Sequence, residues 1–315
     1  MPKSKIGLAI SVMALVVGIS FGCGHHSGHE TAGGKTTIRV GGSDTMVNLA
    51  QAWAEQYRKL HPEISVQVSG GGSGVGIANL IKGTTDIANS SREMKESERT
   101  AVEKNAGQKP AEFEVGKDAL AIYVHKENPL ESISIEELAE IYGELGAISK
   151  WSELGVKNTL CDSDKITRVS RQNNSGTYQY FREAVLKDRD YKLGSIDQSG
   201  SKDLVAMVSR TPCAIGYSGM GYHTAEVKWL KVSPKKGEPG VEPSVASVHD
   251  HTYPISRPLF MFTRGEPAGA VKDFLEWVRS ADGQKVVADL GYVPLREAGD
   301  EKSEAAESSE KPAGA

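Results

Sequence analysis

The chain is poor in cysteine, with 3 in 315 residues. Two cysteines without neighbouring ligands, plus one near the N-terminus, do not make a metal centre. It also lacks a long hydrophobic run. The longest, Ile6 to Phe21, is too short for a confident membrane span. It lacks an excess of charge of either sign. The formal net charge is −4, and residues 297–315 alone hold six acids against two lysines, so no electrostatic case exists for nucleic acid. What is present fits a globular protein of about two domains: 38% hydrophobic, 25% charged, with 34 glycines gathered at turns.

The N-terminus reads as an export signal over residues 1–22: Lys3 and Lys5, an apolar run, then Gly22-Cys23. Cys23 after a small residue resembles a bacterial lipobox, although Ser20 stands where leucine is usual. Lipid on Cys23 and plain cleavage near Gly22 both fit, and a lone cysteine at that place favours lipid. Residues 23–36 then form a flexible tether, whose His25, His26 and His29 read as polar linker, not metal ligands. No metal and no cofactor is expected. In an oxidising exported compartment Cys161 and Cys213 most simply pair. Residues 297–315, acidic and without aromatics, read as disordered.

Between these ends, strand and helix patterns alternate in an α/β order with a largely parallel sheet. Thr37–Val40 and Ile64–Val68 read as strands, Met46–Leu60 and a segment through Ile77 and Leu80 as helices. Glu112–Val124 is long for one strand and suits a crossing between two domains, with Pro258–Phe262 returning. Ser233–Ser247, rich in Pro, Gly and Lys, reads as a surface loop, and His249 and His251 as solvated.

Three loops share one design. Ser43-Asp44-Thr45, Ser73-Gly74 and Ser175-Gly176-Thr177 each follow a strand and open a helix. Each offers hydroxyls and free amide N–H groups at a mildly positive helix end. Arg171 adds a bidentate fork ahead of the third loop. Ser90-Ser91-Arg92, after the strand from Asp86, is a fourth candidate. The set suits a small tetrahedral oxyanion. Competing chemistries fail on spacing: Gly70–Gly76 lacks the Lys of a P-loop, no Gly-x-Ser-x-Gly elbow or His-Glu-x-x-His is present, and nothing pairs a nucleophile with a base.

Arg171-Gln-Asn-Asn-Ser-Gly-Thr177 resembles the Arg-x-x-x-Ser-Gly-Thr motif of phosphate-binding proteins of high-affinity phosphate ABC transporters. Gly70–Gly76, Gly42–Thr45, Ala214–Tyr217, Tyr253–Leu259 and Gly291–Leu295 resemble further family segments, so the likeness spans roughly 36–296. It implies a type II periplasmic-binding fold: two α/β domains joined by two crossing strands, with the anion in the cleft. The domains would be 37–115 with 253–296, and 116–252. Ser43, Thr45 and Ser73 would bind from the first, Arg171, Ser175, Gly176 and Thr177 from the second. The implied partners are inorganic phosphate, an ABC permease with its cytoplasmic ATPase, and a membrane reached through lipid; the implied state is an exported, non-enzymatic monomer. One position departs from the pattern. Ser91 stands where many members place the acid that accepts the phosphate proton, which makes Asp44 the candidate acceptor and leaves Arg92 either at the ligand or on an acid.

Overall fold

The computed structural model describes residues 29–31 and 35–295. Three expectations lie outside these residues: the export signal, lipid on Cys23 and the acidic tail. In chain order the first part comprises β1 (His29–Thr31), β2 (Lys35–Gly42), α1 (Val47–Leu60), β3 (Ile64–Ser69), α2 (Ser73–Lys82), β4 (Ile87–Ser90), α3 (Glu96–Ala106) and β5 (Ala111–His125). The middle holds β6 (Ser132–Ser134), α4 (Ile135–Tyr142), β7 (Thr167–Arg171), α5 (Gly176–Ala184), β8 (Ile196–Gln198), α6 (Ser201–Arg210), β9 (Ala214–Gly219), β10 (Val227–Trp229), β11 (Lys231–Ser233) and α7 (Val245–His249). The last part is β12 (Ser256–Thr263), α8 (Gly269–Arg279) and α9 (Ala281–Asp289).

One curled sheet runs β1-β2-β4-β12-β5-β9-β7-β8, with β3 also on β2 and β10 on β5. It serves two lobes because β5 changes partner along its length. Ala111–Ala119 pairs with β12, and Leu120–Val124 pairs with β9. The long strand read from Glu112–Val124 is therefore one of the crossing strands. β2 is parallel to β3 and β4, and β7 to β8 and β9. The crossing strands β5 and β12 are antiparallel to each other and to their other neighbours. The sheet is thus mixed where the sequence pattern suggested largely parallel: a chain that leaves a lobe and returns must run back along itself.

Each lobe has its own core. Leu49, Trp53 and Tyr57 of α1 pack with Phe274 and Val278 of α8 and Val287 of α9 in the first, while Ile77 and Leu80 of α2 meet Phe262 in a smaller cluster. Tyr142, Trp151, Phe181 and Tyr217 lie in the second. The helical spacing on α1 is the cause: residues four apart share a face, so Leu49, Trp53 and Tyr57 all turn inward. Gly83 ends α2 in the left-handed region, at φ 72°, where other residues are strained.

Two local readings change. His29–Thr31, read as tether, pairs antiparallel with Lys35–Thr37, because β2 exposes an edge that a neighbouring segment can extend. The loop read over Ser233–Ser247 ends in α7. Ser244 caps it by accepting from the Ser247 N–H, a signal that the Pro- and Gly-rich flank obscured. Cys161 and Cys213 form a disulfide with their Cα atoms 5.4 Å apart, joining the segment before β7 to the start of β9. Among the described residues no helix is long and apolar enough to cross a membrane.

Candidate functional site

The carboxyl ends of β2, β3, β4 and β7 bring their loops together between the lobes, where open α/β sheets place ligands. Seven hydroxyl or glycine positions converge there, all buried: Ser43, Thr45, Ser73, Ser91, Ser175, Gly176 and Thr177. Ser43 Oγ donates to Ser91 Oγ at 3.0 Å, and the Ser91 N–H donates to Ser73 Oγ at 3.1 Å. Thr45 Oγ1 and Thr177 Oγ1, from opposite lobes, share a hydrogen bond of 2.9 Å. Ser175 is the N-cap of α5, accepting from the Thr177 N–H at 3.1 Å. The first-turn amides of Gly176 and Tyr178 have no carbonyl four residues back inside the helix. Gly176 lies so close to the first lobe that a Cβ on it would sit 2.3 Å from Ser73 Oγ and 2.7 Å from Ser91 Oγ.

The lobes also touch through backbone. The Gly74 N–H donates to Asn174 O at 3.0 Å, and Asn174 Nδ2 donates to Gly71 O at 3.0 Å. Gly74, read as offering its amide to a ligand, has given it to this latch. The amide points across the interface because Gly72 and Gly74 leave no side chain between the glycine loop and Asn174.

Arg171 is 1% exposed. Its Nε donates to Gln198 O, Nη1 to Ser201 Oγ, and Nη2 to Ser199 O and to Asp44 Oδ2 at 3.1 Å. Four of an arginine's five N–H groups are therefore held by protein, leaving a single Nη1–H where the sequence suggested a bidentate fork. Burial pushes its pKa down, against the pull of Asp44. Asp44 itself is turned onto Arg171 and the Gly71 N–H, 2.8 Å from Oδ1. The expected proton acceptor is thus a clamp on the arginine and the glycine loop, because the Arg171 guanidinium and the Gly71 N–H each lie at bonding distance from one of its oxygens.

Arg92 does not join the cluster. Its Nη1 and Nη2 each lie 2.8 Å from a Glu98 oxygen, and Nη1 also donates to Glu93 O. The reading that set Arg92 at the ligand is corrected, since Glu98 on the first turn of α3 offers a full charge at bonding distance. Burial alone would raise the Glu98 carboxyl, but hydrogen bonds from Arg92 and the Lys95 N–H outweigh it and hold the pKa below the ordinary value of 4.5. A depressed carboxyl stabilises above its unfolded pKa, and that contribution fades as pH falls through the folded value. Arg92→Gln is expected to leave anion affinity within about threefold, yet to lower stability at pH 7 by roughly 1–3 kcal/mol. Melting curves from pH 7 to pH 3 should show the gap from wild type shrinking with acid; a constant gap sinks the assignment.

Sequence reasoning overlooks two residues, Arg257 and Asp118. They are cross-strand partners on β12 and β5, 2% and 0% exposed. Arg257 Nε and Nη2 donate to Asp118 Oδ2 at 3.1 and 2.8 Å, and Nη2 also lies 3.1 Å from Thr177 Oγ1 and 3.4 Å from Thr45 Oγ1. Asp118 Oδ1 accepts from the Met220 N–H. Burial pushes the Asp118 carboxyl up, only partly offset by Arg257. The available signal was weak: Arg257 is the one charge in β12, but Asp118 follows Glu112, Glu114 and Lys117 in β5.

A two-lobed receptor with a donor-rich cleft between its lobes is the class that this geometry defines. Comparison with known proteins agrees. The PBP superfamily domain matches residues 27–282. The phosphate-binding protein PstS of Pseudomonas aeruginosa is 36% identical over 264 residues, 81% of each chain, and PstS of Bacillus subtilis is 32% identical over 94% of this chain and 95% of that protein. A putative phosphate ABC transporter substrate-binding protein from Clostridium perfringens, solved with bound phosphate, has a TM-score of 0.72 at 27% identity, covering 82% of this chain and all of that one. An ABC-type phosphate transport receptor from Vibrio cholerae has a TM-score of 0.64 at 27% identity, covering 81% of this chain and 99% of that one. The chain belongs to the PBP superfamily and, within it, to the PstS phosphate-binding proteins.

Proposed function

We propose that this chain captures inorganic phosphate outside the cytoplasm and delivers it to an ABC permease powered by a cytoplasmic ATPase. One observation carries the reading: hydroxyls from both lobes (Ser43, Thr45, Ser73 and Ser91 against Ser175 and Thr177) converge at the N-terminus of α5 with Arg171 behind them. Such a site holds an oxyanion by many hydrogen bonds and few full charges. Phosphate is named because relatives of high coverage carry that name. Binding without turnover is proposed because the relatives of high coverage are named as binding proteins and, among the described residues, no nucleophile–base pair faces the cluster. Lipid on Cys23 would keep the monomer at the membrane, and the lobes would be 37–115 with 253–296, and 116–252.

A second reading, a broader receptor for tetrahedral oxyanions, is favoured by Ser91 and by the commitment of Asp44 to Arg171. With no carboxylate at the cluster, among the described residues, free to accept a phosphate proton, sulfate lacks its usual penalty, since a hydroxyl can turn to donate to either anion. Calorimetric titration with phosphate and sulfate across pH 6–8 separates the two. Phosphate binding at least a hundredfold tighter supports the first reading, comparable affinities the second, and failure to bind either anion rejects both.

A further inference from the structure

We infer that Arg257 is a direct ligand of the captured anion, supplying a second guanidinium from the strand that joins the lobes. The inference rests on the phosphate reading above. Three observations place the group. Arg257 Nη2 reaches both Thr177 Oγ1 and Thr45 Oγ1, the hydroxyl pair that closes the site from opposite lobes. Its orientation is set on two sides, by Asp118 Oδ2 on Nε and Nη2 and by the ring of Tyr180, 5.5 Å from the guanidinium carbon. Its Nη1 is buried and, among the described residues, has no hydrogen-bond partner.

A buried guanidinium nitrogen without an acceptor is costly, and an ion pair buried this deeply is weak evidence for stability by itself. Both features make sense if the pair positions a donor. Asp118 holds one edge of the fork and offsets its charge while the cleft is empty of anion. Nη1 shares its carbon with Nη2, so an anion touching the threonine hydroxyls lies within its reach. The hydroxyls follow suit. Both oxygens accept from Nη2, and one donates to the other, so a single threonine proton is left to point at the ligand. Arg257 thereby makes the crossing strands part of the site, and the site gains a guanidinium donor that Arg171 alone does not supply. Arg171 spends most of its donors on protein.

The competing account is a water on Nη1 from the adjacent cavity of about 470 Å³, which Arg92, Tyr180, Glu183 and Arg257 help to line. Two measurements decide. In the double variant Asp118→Asn/Arg257→Gln, which removes both buried charges together, phosphate affinity is expected to fall at least thirtyfold. In wild type, arginine-resolved proton–nitrogen spectra should show a side-chain resonance, assigned by its loss in Arg257→Lys, that shifts and couples to phosphorus at saturating phosphate. This second readout does not depend on the double variant folding. Wild-type binding with an Arg257 resonance indifferent to phosphate, or a folded double variant within threefold of wild type, overturns the inference and leaves the phosphate reading standing. A wild type that binds no phosphate rejects that reading instead.

Discussion

Gly176→Ala is expected to weaken phosphate capture about a hundredfold or more while leaving the fold intact. The added methyl would stand 2.3 Å from Ser73 Oγ and 2.7 Å from Ser91 Oγ, well inside any contact a real Cβ makes. Those hydroxyls belong to the opposite lobe, so relief requires opening the cleft or losing the hydroxyl cluster. Overpacking of this kind costs about 1–3 kcal/mol, and displacing the anion from the α5 amides adds to it. A hundredfold loss corresponds to about 2.7 kcal/mol. Folding should not suffer, because Gly176 is the first residue of α5 and alanine favours a helix. Calorimetry with phosphate gives the affinity, and melting without ligand gives the control. X-ray scattering adds a third arm: wild type should stay compact with phosphate, and the variant should not reach the same radius. Near-wild-type affinity would mean that the lobes do not close onto the anion at this glycine.

Arg171→Met should lose roughly 2–5 kcal/mol of binding, the usual cost of truncating one partner of a buried charge pair at an interface. Two effects combine. The site loses one positive charge, and Asp44 loses the guanidinium that lies 3.1 Å from its Oδ2, leaving an unpaired carboxylate beside an anion. The second effect is separable. Asp44→Asn/Arg171→Met should recover part of the loss relative to Arg171→Met, a coupling that a double-mutant cycle measures directly. Phosphate and sulfate affinities should fall in parallel, because a guanidinium reads charge and not the presence of a proton. A variant within fivefold of wild type would reduce Arg171 to a scaffold for Ser199, Ser201 and Gln198.

Much of this architecture is local chemistry, and local chemistry is legible. The strand–loop–helix alternation and the face of α1 carrying Leu49, Trp53 and Tyr57 follow from side-chain periodicity. The three Ser-containing loops follow from what a helix start demands of its first residues. The closing of hydroxyls from both lobes around α5 came from those same loops, since each stands at the carboxyl end of its strand. Partner choice was not legible. Arg92 had Glu98 six residues away, and Asp44 had Arg171 more than a hundred residues away, and only the folded chain decides which acid a given arginine meets.

Asp118 and Arg257 are the clearest case. Arg257 is the one charge of β12 and Asp118 is one of several in the first half of β5, and nothing pairs them until the two strands are laid side by side. Antiparallel register between β5 and β12 makes them direct neighbours, and the curl of the sheet carries Arg257 to Thr45 and Thr177. By itself the sequence determined an α/β chain with several donor-rich loops at helix starts, because those features need only nearby residues, and its motifs resembled those of a two-domain receptor. The tertiary structure decided which charges face the anion and which are spent on each other, because that depends on distances between strands and loops far apart in the chain.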